Sequence, residues 1–169
     1  MDERKWIERI LAGDTQSFSC LVAKYEKMAY TIALRILENR EEAEEAVQDA
    51  FVKMYRALSD FHFDSKFSTW FYRIVYRTAL TALRQQRMFV SYEEAGPVDL
   101  SNGEVESATA LLEREDRKEM IARTLKKLPA DEALLLTLYY LEECSVEEIC
   151  QITELSASNV KVKLFRGRK

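Results

Sequence analysis

The chain has few of the residues that build disulfide frameworks, metal sites and tight turns. Its 169 residues include three cysteines, one histidine, four glycines and two prolines. The cysteines, Cys20, Cys144 and Cys150, are odd in number and form no Cys-x-x-Cys pair, and His62 is the one histidine. This composition argues against a zinc site and a disulfide framework, so we expect no metal ion and no cofactor. The thiols are expected to be small buried residues in a reducing cytoplasm.

Long apolar segments are absent as well. No run approaches the roughly 20 apolar residues that are needed to span a bilayer. The first residues, MDERKWIERI, are charged and interrupted, which does not match a secretory signal. The sequence therefore predicts a cytoplasmic protein.

The scarcity of glycine and proline favours an all-helical, all-α protein. With 47% hydrophobic and 32% charged residues, the chain is globular in composition. Residues 91–112 differ, because they combine two of the four glycines, one of the two prolines and several acids without helical periodicity. Such a segment is long for a loop within one compact domain. We therefore predict two small helical domains, residues 1–90 and 113–169, joined by a flexible acidic linker.

The net charge of −4 conceals two cationic segments. Residues 64–87 hold five basic residues and one acid, and residues 158–169 hold five basic residues and no acid. Between them, residues 91–119 hold nine acids and three basic residues. Clustered bases of this kind are typical of surfaces that bind nucleic acid.

The first cationic segment begins as an aromatic loop and continues as a helix. Three phenylalanines surround a polar turn: Phe61, Phe63 and Phe67 around Asp64-Ser65-Lys66. Four arginines without interleaved acids lie along one line of the helix: Arg73, Arg77, Arg84 and Arg87. Cations would contact phosphates while aromatic rings stack bases, so the segment suits unpaired nucleic acid. Most of its large aromatic residues are nevertheless expected to lie in the core.

A helix that precedes this segment has two distinct faces. It is predicted to run from an N-cap at Asn39 to about Leu58, with Glu42 in the capping-box position. Its inward face comprises Ala43, Ala46, Val47, Ala50, Phe51, Met54, Tyr55 and Leu58. Its outer face comprises Glu45, Gln48, Asp49, Val52 and Arg56. We expect Val52 to be exposed, and an apolar residue among acids and an amide is suited to contact with a protein partner.

The second cationic segment completes a helix-turn-helix pattern. Ser145 and Glu148 form a capping box before a short helix, and Ser156 is the N-cap of a basic last helix. The intervening turn, Thr153-Glu154-Leu155, lacks the usual glycine. The last helix leaves its polar residues on its open sides: Ser158, Asn159, Lys161, Lys163, Arg166 and Arg168. There, basic residues would contact phosphates, and Asn or Arg would contact base edges.

Taken together, these segments resemble a sigma factor of the extracytoplasmic-function group, the small type in the sigma-70 family with only the second and fourth sigma domains. EEAEEAVQDAFVKMYRALSDF followed by FSTWFYRIVYRTALTALRQQR is similar to region 2 of the family. LPADEALLLTLYYLEECSVEEICQITELSASNVKVKLFRGRK is similar to region 4. The resemblance implies a transcription initiation factor that binds core RNA polymerase, directs it to −10 and −35 promoter elements and helps melt the −10 region.

The resemblance also implies three sets of contact residues. Those that dock on core polymerase are Glu45, Gln48, Asp49, Val52 and Arg56. Those that capture the −10 strand are Phe63, Asp64, Ser65, Lys66, Trp70, Arg73, Arg77 and Arg84. Those that contact the −35 duplex are Ser158, Asn159, Lys161, Lys163 and Arg166. Arg77 stands where relatives commonly carry Asn, and Lys163 stands where Arg is usual, which removes a bidentate donor.

The partners implied by the resemblance are core RNA polymerase, through its β′ clamp helices and β flap, promoter DNA, and a membrane-anchored anti-sigma factor, with no small-molecule substrate. An alternative interpretation is a stand-alone helix-turn-helix regulator that uses residues 145–169 and binds duplex DNA without polymerase. The sequence contains no evident nucleophile–base pair, phosphate-binding loop or metal set, so we do not expect an enzyme.

Overall fold

All secondary structure in the described part of the chain is helical. The computed structural model describes residues 3–90, residue 125 and residues 128–168. In chain order the elements are α1 (Glu3–Leu11), α2 (Gln16–Leu37), α3 (Arg40–Arg56), a 3-10 turn (Leu58–Asp60), α4 (Phe67–Val90), α5 (Ala130–Tyr140), α6 (Val146–Thr153) and α7 (Ala157–Gly167). The all-α prediction is confirmed. The predicted linker, residues 91–112, lies outside the described residues.

The first two helices bury the apolar faces that their spacing predicts. α1 buries Ile7 and Ile10. The chain then turns at Gly13, whose φ of +98° lies in the left-handed region that glycine adopts without a steric penalty. α2 buries Leu21, Tyr25, Ala29, Ile32, Ala33 and Leu37 along its inner face.

α3 begins at the predicted N-cap, but only half of the capping box forms. The Asn39 side chain accepts a 3.2 Å hydrogen bond from the Glu42 backbone N–H. The Glu42 carboxylate instead accepts a 3.0 Å hydrogen bond from the Gln86 side chain on α4. The inner face is buried as predicted except for Tyr55, which is 46% exposed. The prediction that Tyr55 is buried is wrong. Its ring lies at the rim of the core, edge-on against the Phe18 ring, with the two ring centroids 5.1 Å apart.

α2, α3 and α4 pack on one another around a cluster of aromatic rings. Phe71 is fully buried at its centre and lies 4.8 Å from Phe51 and 6.0 Å from Tyr25, measured between ring centroids. Burying large rings of this kind provides most of the hydrophobic stabilisation of a small bundle. The cluster therefore holds α4 rigidly and determines which of its side chains point outwards.

α5 is buried on nearly every side. The six consecutive residues from Ala133 to Leu138 are all buried, which one apolar stripe would not produce. The reason is that α5 packs on two sides. It packs against α7 within the C-terminal half, residues 128–168, and against α2 of the N-terminal half, residues 3–90.

The C-terminal helices begin at the predicted caps. Ser145 and Glu148 form both hydrogen bonds of a capping box at the start of α6. The Ser156 hydroxyl accepts a 3.3 Å hydrogen bond from the Asn159 backbone N–H at the start of α7. α6 packs on α7 and also along α4. The two halves of the protein are therefore in direct contact through α4–α6 and α2–α5.

Candidate nucleic-acid and partner interfaces

The outer face of α3 carries a polar surface with an apolar centre. Its five predicted partner-binding residues are all exposed: Glu45, Gln48, Asp49, Val52 and Arg56. Val52 is 48% exposed, which confirms the prediction from its position in the helix. The exposed ring of Tyr55 extends the apolar area one turn along the helix, a contribution that the sequence interpretation missed.

An acidic groove runs beside this surface, between α3 and α4. Glu42, Glu45 and Asp49 line its α3 side, and Thr78, Thr81 and Gln85 line its α4 side. The Glu42 Oε2 atom is buried and has no hydrogen-bond partner within the described structure. Lys53 lines the same groove and donates a 3.2 Å hydrogen bond to the Thr78 hydroxyl. The sequence suggested only a capping role for Glu42, because its contact with α4 depends on packing.

The loop before α4 separates buried phenylalanines from an exposed one. Phe61 and Phe67 are buried, whereas Phe63 is 41% exposed. The backbone of Phe63 has a φ of +62°, an unusual conformation for a bulky residue. Its ring lies 4.7 Å from that of Phe61, and the Arg4 guanidinium lies 5.0 Å from its centroid. Of the three loop phenylalanines, Phe63 is thus the one whose ring is exposed.

The polar turn beside Phe63 is also accessible. Asp64 and Lys66 are exposed, and Ser65 is half-buried. Trp70 is half-buried, with its ring 4.9 Å from that of Phe61. The structure therefore brings Phe63, the polar turn and one edge of Trp70 to the same end of α4.

The arginines of α4 project from the helix as the spacing predicts. Arg73, Arg77 and Arg84 are exposed. Arg73 and Arg77 both donate hydrogen bonds to the same carboxylate oxygen of Glu154. That oxygen lies 3.3 Å from the Arg73 Nη2 atom. The Arg77 guanidinium, assisted by that of Arg73, holds the pKa of the Glu154 carboxyl below its ordinary value of 4.5.

Lys66 is also paired with an acid of the C-terminal half. Its Nζ atom lies 2.9 Å from a carboxylate oxygen of Glu148, and this hydrogen bond raises the pKa of Lys66. Arg84 is different, because it has no ion pair with another described residue. Three of the four predicted strand-binding cations are therefore bonded to carboxylates within the chain, a relationship that the sequence did not indicate.

α7 presents most of its predicted DNA-binding residues to solvent. Ser158, Asn159, Lys161 and Arg166 are exposed. Lys163 is half-buried, and its ammonium bonds to the Asp131 carboxylate at the start of α5. This bond lowers the pKa of Asp131. Lys163 thus braces α7 against α5, while its neighbour Lys161 faces solvent.

Residues 3–90 and 128–168 contain neither a cluster of metal-binding side chains nor a membrane-spanning helix. None of their side chains form a group of three or more histidines, cysteines, aspartates or glutamates able to hold a metal ion. None of their helices has the length and apolar character needed to cross a membrane.

Comparison with known proteins identifies the family. The model of sigma-70 region 2 matches residues 21–88, and the model of sigma-70 region 4 matches residues 118–169. The chain is 32% identical to the RNA polymerase sigma-H factor of Pseudomonas aeruginosa, over 99% of this chain and 90% of that protein. It is also 31% identical to the ECF RNA polymerase sigma-E factor of Escherichia coli K12, over 96% of this chain and 88% of that protein. The chain is an extracytoplasmic-function sigma factor.

Solved structures support the fold of this sigma factor. It aligns with CnrH in a complex with the cytosolic domain of CnrY, with a TM-score of 0.63 and 23% identity over 98% of this chain and 91% of that one. It aligns with the sigma factor RpoE of Bartonella quintana in a complex with the anti-sigma factor NepR, with a TM-score of 0.71 and 17% identity over 90% of this chain and 92% of that one.

Membership of the family establishes the general activity. The protein is a transcription initiation factor that binds core RNA polymerase, directs it to −10 and −35 promoter elements and helps melt the −10 region. Region 2 and region 4 correspond to the segments that resembled them in sequence, so that prediction is confirmed.

Proposed function

We propose that the sigma factor binds polymerase, the −10 strand and the −35 duplex through three separate surfaces. Residues 1–90 bind core polymerase through the outer face of α3 and capture the −10 strand through the loop before α4 and the arginines of α4. Residues 113–169 bind the −35 duplex through α7. The observation that carries this proposal is the exposure of Arg73, Arg77 and Arg84 along α4 and of the Phe63 ring in the loop before it.

The polymerase surface is the outer face of α3 together with its acidic groove. Val52 and Tyr55 provide an apolar centre, and Glu45 and Asp49 provide a negative rim. An apolar centre with a polar rim is the usual composition of a protein interface. The β′ clamp helices of polymerase are the expected occupant, and the β flap is the expected contact of the C-terminal half.

The strand surface combines stacking with phosphate contacts. A base that leaves the duplex loses its stacking, and the exposed ring of Phe63 and the edge of Trp70 compensate for that loss. Asp64 and Ser65 supply hydrogen-bonding groups beside the ring, and the α4 arginines contact the strand phosphates.

The duplex surface is α7, whose N-terminal turn is free of acids. Ser158 and Asn159 lie in that turn and are positioned to contact base edges, while Lys161 and Arg166 contact phosphates. Lys163 contributes through its bond to Asp131, which holds α7 in place, as well as through its charge.

The remaining assignments concern the inhibitor of this protein, its location in the cell and the absence of catalysis. We infer that an anti-sigma factor, anchored in the membrane, inhibits this protein in the cytoplasm, and that the protein has no catalytic step or small-molecule substrate. Support for the inhibitor comes from RpoE and CnrH, whose solved structures hold an anti-sigma factor and a CnrY cytosolic domain respectively. Loss of every candidate inhibitor gene without a rise in activity would contradict this inference.

Run-off transcription with purified core polymerase tests the proposed function. Promoter templates are selected by sequencing the DNA that the holoenzyme retains. We expect promoter-dependent transcripts only when the sigma factor is present. The Arg84→Ala variant should lower open-complex formation while retaining polymerase binding, since Arg84 faces the strand. Arg40→Ala, which removes an exposed arginine at the start of α3, is the control. Equal losses in the two variants, or binding to the −35 duplex that is as tight without polymerase as with it, would contradict the proposal.

A further inference from the structure

The outward side of α7 carries two apolar side chains among its polar ones. Val162 is 47% exposed, and Phe165, three residues further along, is 59% exposed. A single exposed apolar residue is ordinary on a protein surface. These two, however, lie on the helix that we propose for the −35 duplex, and neither is among the DNA-contacting residues that the sequence indicated.

Val162 lies at the centre of the open side of α7. The helix is anchored in the core by Val160 and Leu164, which are 0% and 3% exposed. Successive residues of an α-helix are turned by about 100° around its axis, so Val162 points roughly 160° away from both anchors. Ser158 and Arg166, each four residues from Val162, are exposed along the same side. If α7 enters the major groove with its anchored side towards the protein, Val162 is the side chain that reaches deepest.

The charges around Val162 suit DNA rather than a protein partner. α7 contains no acidic residue, and the bases Lys161 and Arg166 are exposed on either side of Val162. An apolar centre with a cationic border is complementary to a groove that is lined by phosphates. Val52 on α3 is equally exposed, at 48%, but is bordered by acids, and there we propose a protein partner.

The major groove offers one apolar group that distinguishes the base pairs. That group is the 5-methyl of thymine, whereas the other distinguishing groups in this groove are hydrogen-bond donors and acceptors. The Val162 side chain has no polar atom, so it would cover a donor or acceptor without replacing its hydrogen bond to water, at a cost in free energy. An aliphatic side chain at the deepest point of the contact therefore matches a thymine.

We propose that Val162 is a specificity-determining residue that selects an A·T pair in the −35 element by packing on the thymine methyl group. This inference rests on the proposed role of α7 in binding the −35 duplex. Two contacts hold α7 in the orientation that the packing needs. The Asn159 backbone N–H donates a 3.3 Å hydrogen bond to the Ser156 hydroxyl at the start of the helix. Lys163 bonds to Asp131 on α5.

Replacing thymine by uracil tests the contact, because uracil lacks only the 5-methyl group. The holoenzyme is assembled from the full-length chain and core polymerase, and its promoter duplexes are those found by sequencing the DNA that it retains. Each thymine of the −35 element, on either strand, is replaced in turn, and competition measured by fluorescence anisotropy gives the dissociation constant. For wild type, we expect one replacement to weaken binding by about 4-fold, the loss for one buried methyl group.

Val162→Ala should bind the thymine and uracil duplexes equally, because its shorter side chain does not reach the base. The variant stays folded, since Val162 is exposed and alanine has the higher helix propensity. Leu141→Ala is the matched control, because Leu141 is 52% exposed in the same half but follows α5 and does not lie on α7. Its ratio of the two dissociation constants should equal that of wild type. Lys161→Ala should weaken binding to both duplexes and keep the ratio, because a phosphate contact is independent of the base.

Three results would overturn the role of Val162. They are wild-type binding that no uracil replacement weakens, a −35 element without an A·T pair, and a Val162→Ala variant that keeps the wild-type ratio. Failure of the proposed function is distinguishable from these. In that case Lys161→Ala and Arg166→Ala would bind the −35 duplex as tightly as wild type, with thymine or with uracil.

Discussion

The hydroxyl of Tyr72 donates a 2.8 Å hydrogen bond to the carboxylate of Glu142, and so joins the core of the N-terminal half to the C-terminal half. Tyr72 is only 2% exposed, and its ring lies 5.9 Å from that of Tyr25. The Tyr25 hydroxyl in turn bonds to Glu3 on α1. Burial, followed by the bond to Glu142, raises the pKa of Tyr72 far above its ordinary value. Tyr72 is therefore the neutral donor in this bond.

Tyr72→Phe should loosen the contact between the halves while leaving the N-terminal core intact. The ring still packs, and the variant loses one hydrogen bond, worth about 1 kcal/mol. We expect a larger radius of gyration by X-ray scattering and tighter binding of single-stranded DNA. Tyr25→Phe is the matched control, because its partner Glu3 belongs to the same half. The interpretation fails if the two variants change the radius of gyration equally.

Acid pH should open the chain. Arg77 and Arg73 hold the pKa of Glu154 below 4.5. At Glu148, burial acts to raise the pKa, but the bonds from Lys66 and the Ser145 backbone outweigh it, so the pKa is again below 4.5. A group whose pKa is lowered by the contact between the halves stabilises that contact above its ordinary pKa and loses the effect as pH falls through the lowered value.

The radius of gyration should therefore stay constant from pH 7 down to about 5 and increase below about 4.5. The groups that titrate below about pH 5 are carboxylates, so the carboxylates control the transition. Glu154→Gln should reduce the dependence on pH, because its amide does not titrate. A chain that stayed compact while its carboxylates became protonated would show that packing alone holds the halves together.

Val52→Glu should weaken polymerase binding by about 1–3 kcal/mol, since it places a charge at the apolar centre of the α3 surface. Biolayer interferometry with immobilised core polymerase measures the change. Leu11→Glu is the control, because Leu11 is similarly exposed but lies on α1, away from α3. Comparable losses of affinity in both variants would place the docking surface elsewhere on the N-terminal half.

Lys161 and Lys163 should differ in how they affect duplex binding. Lys161 is exposed, so Lys161→Ala should reduce the slope of log affinity against log salt by about 0.9, the value for one phosphate contact. Lys163 bonds to Asp131, so Lys163→Ala should also lower the free energy of unfolding of the C-terminal half. Denaturant unfolding with a probe on that half checks the second effect. Identical behaviour of the two variants would contradict a bracing role for Lys163.

Features that depend on neighbouring residues were predictable from the sequence. The caps at Asn39, Ser145 and Ser156 form as expected because each involves a residue and a backbone N–H three positions later. The exposure of Val52 follows from helical periodicity alone. The match to sigma-70 regions likewise depends on spacings within single segments.

Features that depend on packing between distant segments were not predictable. No local pattern links Glu154 to Arg77, which are 77 residues apart in the chain. The left-handed backbone at Phe63 and the rim position of Tyr55 depend on the loop and helix against which each lies. Lys163 appeared to be one more basic residue on an open helix face, because its partner Asp131 lies on another helix.

The contact between the two halves also bears on competition for polymerase. If polymerase binding requires the halves to separate, the apparent affinity is reduced in proportion to the separated fraction: at one separated chain in a hundred, the apparent dissociation constant is about 100-fold higher. A substitution that weakens the contact of α4 with α6 would then lower the concentration at which this protein binds core enzyme, with no change in the promoters it recognises.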